Sequence, residues 1–170
     1  MAANDPKPSA QIDAILDGKL REAAREGRPL PRTTVESKTP AGSVTVVVEE
    51  ADRLGVLAGS IGAQRRGGRP FDVAAQAQDA VRRLNYLQEP LAVIESEARR
   101  ARTILRSAAP RKVEGGREYN EAVLDGGGSI TIRRFRAEPG ARRRQVPSNI
   151  SRETLGRLAD DLSDILEPRS

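Results

Sequence analysis

The chain contains no cysteine and no histidine among its 170 residues. Without cysteine there is no disulfide, no thiolate metal site and no thiol nucleophile, a composition suited to a reducing compartment. Without histidine, Ser-His and Cys-His mechanisms are excluded, and the commonest transition-metal ligand is missing. Chemistry would fall to carboxylates, lysine, tyrosine or serine, and a carboxylate serves as a base only where burial or a like charge raises its pKa. Aromatics are scarce at 2%: Phe71, Phe135, Tyr86 and Tyr119, with no tryptophan. The core must therefore rest on Leu, Ile, Val and Ala. No apolar run approaches the ~18 residues needed to span a bilayer, and Met1 to Pro8 offers no apolar stretch for a secretion signal. A cytosolic location and no membrane partner are expected.

What the chain does have is charge and small residues. Hydrophobic residues make up 37% and charged residues 31%, with 15 glycines and 11 prolines. Such a composition suits one globular domain with a disordered minority. The net charge of +5 rests on 25 arginines and only 4 lysines. Arginine is the better fork for phosphate and carboxylate, but joint enrichment in Arg, Ala and Gly also follows from GC-rich codon usage.

Apolar periodicity suggests four helices before residue 108. Ser9 can cap the first, over residues 10–26, where Ile12, Ile15, Leu16, Leu20, Ala23 and Ala24 recur at helical spacing. Residues 28–43 hold three prolines with no period and read as a linker. After a short β-branched strand at Val44 to Val48, helical spacing resumes from Glu50 to Arg65 despite Gly55, Gly59 and Gly62. Gly67 to Pro70 reads as a stop. Asp72 can cap a helix to Gln88, and Pro90 can open another to Ser107, whose stripe is Leu91, Ile94, Ala98, Ala101, Ile104 and Leu105. The short joint between these two implies an antiparallel helical hairpin.

Beyond Gly116 the pattern alternates. Gly126, Gly127 and Gly128 form the tip of a β-hairpin, and side-chain matching sets its register. Leu124 faces Ile130, Ala122 faces Ile132, Glu121 faces Arg133, Tyr119 faces Phe135 and Glu118 faces Arg136. Residues 141–146 can return as a third strand. Ser151 then caps a last helix, with Ile150 and Leu155 at the staple positions and a Leu and Ile stripe running to Leu166, before Pro168.

The resulting expectation is an α+β fold: a helical hairpin packed with a small antiparallel sheet of two to three strands and a C-terminal helix. Residues 1–42 are expected to form a partly disordered arm and linker, and residues 43–170 the single domain. Charge concentrates in residues 99–144, which carry 13 basic against 5 acidic side chains. Arg133, Arg134, Arg136, Arg142, Arg143 and Arg144 are the candidate contacts to an anion or nucleic acid. Glu118 and Glu121 should neutralise part of that ribbon, and the stacking aromatics of a single-strand platform are nearly missing. The acidic trio Asp160, Asp161 and Asp164 reads as a solvated helix face. Glu95 with Glu97, and Glu118 with Glu121, are carboxylate pairs with nothing to place them in a pocket. No phosphate-binding loop or dinucleotide motif occurs.

No catalytic residue, metal site, cofactor or small-molecule ligand is expected. The functional expectation is a non-catalytic interaction or accessory module, with a protein partner or self-association through Ala- and Gly-rich helical surfaces. The alternatives are a nucleic-acid-associated protein using the basic hairpin, and a carboxylate-dependent enzyme without cofactor.

Overall fold

The computed structural model describes residues 5–67 and 72–167. All but Gly67 of the expected stop at Gly67 to Pro70, together with Phe71 and the expected boundary at Pro168, lies outside the described residues. In chain order the elements are α1 (Pro8–Arg25), β1 (Thr33–Thr39), β2 (Gly42–Ala51), β3 (Gly55–Arg65), α2 (Val73–Arg83), β4 (Leu91–Glu97), β5 (Arg102–Ser107), β6 (Arg111–Val113), β7 (Gly116–Asp125), β8 (Ser129–Ala137), β9 (Arg144–Val146), β10 (Ser148–Ser151) and α3 (Arg152–Leu166). A single 3-10 turn, Ala98–Arg100, joins β4 to β5.

This overturns the expected fold class. In place of a helical hairpin beside two or three strands, a ten-stranded antiparallel sheet dominates, ordered β1-β2-β3-β8-β7-β5-β4, with β6, β9 and β10 on its margins. Two meanders, β1-β2-β3 and β4-β5-β7-β8, meet along a short seam where Ile61 to Gln64 of β3 pair with Ile132 to Ser129 of β8. The three helices form one layer. Val44, Val46 and Val48 of β2, Ile130 and Ile132 of β8 and Leu105 of β5 pack there with Ile12 and Leu16 of α1, Ala77 and Ala80 of α2, and Leu155, Leu158 and Leu162 of α3. Because strand side chains alternate, the residues between them, such as Arg106, Tyr119, Glu121 and Arg133, belong to the face without helices. Among the described residues no helix is long and apolar enough to cross a membrane.

Two segments expected to be helical are strands. Residues 55–65 form β3, and residues 91–107 form β4, the turn and β5. In β5 the buried positions are Thr103, Leu105 and Ser107, a period-two pattern whose two polar members hide it from a hydrophobicity count. The β-branched Val93, Ile94, Thr103 and Ile104 favour extended backbone. Ile94, expected inside, is 53% exposed. Glycine serves β3 for approach, not for helix packing: a Cβ on Gly62 would lie 3.2 Å from the Ile130 carbonyl oxygen. Part of the stretch read as a linker, Thr33–Thr39, is β1, and its Val35 joins the same core.

Other expectations hold. The β7–β8 hairpin has the expected register, from Leu124 with Ile130 to Glu118 with Arg136. At α3 the Ser151 hydroxyl accepts the Thr154 N–H at 3.0 Å, as a capping side chain should. Ser9, by contrast, is not a cap. It lies inside the first turn of α1 and donates from N and Oγ to the Asp160 carboxylate of α3 at 2.9 and 2.8 Å. The acidic trio of α3 is thus a docking strip. Asp160 takes Ser9, Asp161 accepts the Tyr86 hydroxyl at 2.8 Å, and Asp164 lies 3.5 Å from Arg83.

Candidate binding sites on the sheet

The six arginines singled out from the sequence do not form one basic surface, because the pleat of β8 sends them to both faces. Arg134 and Arg136 point to the helix side, following Ile130 and Ile132. Arg133 and Phe135 point to the uncovered side. Arg142, on the segment leading into β9, and Arg144, the first residue of β9, are exposed.

On the helix side, Arg134 is only 7% exposed. Its Nη1 and Nη2 donate to the two carboxylate oxygens of Glu89 at 2.8 and 3.3 Å, its Nε to Glu118 at 3.2 Å, and Nη1 also to Asn120 Oδ1 at 3.2 Å. Burial works against the charged guanidinium, but the bonds to Glu89 and Glu118 outweigh it and raise its pKa. The chain of charges continues from Glu118 to Arg136 at 3.8 Å, from Arg136 to Glu138 at 2.6 Å, and from Glu138 to Arg144 at 4.0 Å. Signs alternate throughout, as buried charge requires.

On the uncovered side, Tyr119 and Phe135 lie with ring centroids 6.0 Å apart. Arg143 crosses over the Phe135 ring at 4.0 Å and Arg106 over Tyr119 at 5.2 Å. Both arginines bond Glu121, at 2.6 and 2.9 Å. Burial alone would raise the pKa of Glu121, but the Arg143 and Arg106 hydrogen bonds prevail and hold it below the usual carboxylate range. Glu118 and Glu121 therefore stand on opposite faces and do not form a carboxylate pair. Arg133, opposite Glu121 in register, makes no ion pair among the described residues.

Where β8 leaves β3 after the seam, the sheet forks. β9 pairs with β8 at Arg134 to Arg136, and β10 pairs with β3 at Gly55 to Ala58. Gln145 Nε2 ties the fork by donating to the Gly59 carbonyl at 2.5 Å. A half-enclosed cleft of about 320 Å³ opens here between β7, β8, the α2–β4 connection and the start of α3. Its floor is Ile61, Ile132 and Leu158, and its walls include Asn120, Arg134, Glu118, Tyr86 and Arg111. Burial first, then its bond to Asp161, push the Tyr86 pKa far above the ordinary phenol value.

Two features of the sheet edges were not legible in the sequence. Val93 and Ile94 are 40% and 53% exposed on this edge strand. The opposite edge is capped at Lys38, where Gln11 of α1 accepts from the Lys38 N–H at 3.0 Å and donates to the Lys38 carbonyl at 2.9 Å. A side-chain amide there occupies backbone groups that a foreign strand would need. Among the described residues no group of three or more potential metal ligands occurs. Compared with known proteins, the chain matches no family model, no curated protein and no solved structure.

Proposed function

We propose that the protein is a non-catalytic interaction module that associates with a second copy of itself along β4. The observation that carries this reading is the asymmetry of the sheet edges: β1 is capped at Lys38 by Gln11, whereas β4 presents Val93 and Ile94 to solvent. Unpaired strand edges recruit strands. An antiparallel pairing centred between Val93 and Ile94 brings these side chains together across the two-fold axis. It sets Glu95 of one copy opposite Ala92 of the other, so like charges do not face each other. The register shift between Val93 and Glu95 limits how far such a ladder extends. Gln11, by occupying the outward backbone groups of Lys38, works against growth from the other edge. Light scattering over a concentration series tests this. A dimer that the Ile94→Lys variant converts to monomer supports it, and a wild-type chain that stays monomeric at about 100 μM, where a weak pair should form, overturns it.

A second reading is favoured by the excess of cations on the uncovered face, where Arg106, Arg143 and Arg133 surround one carboxylate, Glu121. This is contact with nucleic-acid phosphates. Its test is the salt dependence of binding to a short duplex. A steep slope that flattens in an Arg133→Gln, Arg142→Gln double variant supports it, and a flat wild-type slope removes it.

A further inference from the structure

We propose that the cleft at the strand fork is a binding site for a small aliphatic monocarboxylate. The site is distinct from the β4 edge and from the uncovered arginine face, and it stands or falls independently of them.

Three observations converge on that chemistry. The first is Asn120, 7% exposed, which lines the cleft. Its Oδ1 is taken by Arg134, which fixes the orientation of the side-chain amide. The Nδ2 donors have no hydrogen-bond partner among the described residues. These donors are not sealed from solvent but open onto the cleft, where a ligand can reach them.

The second is the local charge balance. Arg134 and Arg136 between them balance Glu89 and Glu118, so neither carboxylate needs a cation from a ligand. Arg111, exposed at the mouth, has no acidic partner among the described residues, although it stands opposite Glu118 in the β6–β7 register. The uncompensated charge of the cleft is thus positive and lies at its entrance. A carboxylate can accept from Asn120 with one oxygen and from Arg111 with the other, in charge-assisted geometry.

The third is the floor. Ile61, Ile132 and Leu158, with half-buried Leu87 alongside, give an apolar surface below these donors. A volume of about 320 Å³ lies at the small end of ligand pockets, which suits a short chain better than a polycyclic ligand.

Calorimetry and amide-resolved NMR titration of the full chain with hexanoate, hexanamide and hexan-1-ol test the assignment. Hexanoate should bind, moving the resonances of Asn120, Arg111 and Ile132, and the two uncharged isosteres should bind at least about tenfold more weakly. Asn120→Asp keeps the acceptor for Arg134 but replaces the free amide donors with a negative charge, and it should abolish hexanoate binding. Arg111→Gln, a surface change that does not touch the core, should weaken binding about tenfold, whereas Arg142→Gln should leave it unchanged. The assignment is overturned if all three probes bind alike, if shifts map elsewhere, if Arg111→Gln binds as the wild type does, or if hexanoate does not bind at about 10 mM.

Discussion

The guanidinium of Arg134 grips the carboxylate of Glu89 at two points across 45 residues of sequence, with both side chains almost wholly removed from water. Such a pair contributes little over an apolar replacement, but losing one partner strands the other. Glu89→Gln should therefore destabilise the fold by about 3 kcal/mol in urea unfolding, Glu118 compensating only in part. The double change Glu89→Leu with Arg134→Met should recover most of that loss. If the single variant is as stable as the wild type, the pair is not buried as described.

Glu121 sets the acid response of the uncovered face. Its pKa is depressed in the folded state, so its contribution is present above the unfolded carboxylate value of about 4.3 and is lost as pH falls through the folded one. At pH 7 the Glu121→Gln variant should be less stable than the wild type, and the gap should narrow as the pH is taken from 7 to below about 4.3. Denaturant midpoints at both pH values check this, and a constant gap between the two proteins would contradict it.

Gln11 guards the β1 edge through two hydrogen bonds to Lys38. Gln11→Ala should cost only about 1 kcal/mol. Its larger effect should be concentration-dependent aggregation, read by static light scattering, because a second free edge then becomes available.

Leu162 of α3 is fully buried. Leu162→Ala should cost about 2–5 kcal/mol by the cavity it leaves, whereas Leu54→Ala, at an exposed turn, should change stability by less than about 0.5 kcal/mol. Equal effects at the two positions would mean that the helix layer does not seal the sheet.

Local signals carried what local physics decides. The hairpin register was readable because Tyr119, Glu121, Ala122 and Leu124 each have a matching cross-strand neighbour only a few residues beyond the glycine tip. Likewise α3 was readable from its cap and its Leu stripe. The stretch from Leu91 to Ser107 was not, since its apolar residues fit a helical period as well as a strand one. The partner that decides between them, β7, lies 15 to 23 residues further on at the Arg106–Glu121 and Arg102–Asp125 pairings. Ala101 adds a second concealment. It turns the chain at φ 45°, a conformation unusual for alanine, and packs against Gly126 at the hairpin tip. The sites were less legible still. Arginine content marked β8 as basic, but only the pleat, with Glu89 and Glu118 in place, explains why Arg134 is interior while Arg133 remains outside.

Because α3 lies over both meanders and braces α1 through Asp160, the order of assembly is constrained. Each meander can zip from its own turns, but the seam between β3 and β8 joins residues about 70 apart and stays unroofed until the final helix settles on it. Contacts so distant in sequence are slow to form. Refolding should therefore show early strand formation followed by a later phase in which α3 docks, and substitutions in α3 should accelerate unfolding more than they retard the first phase.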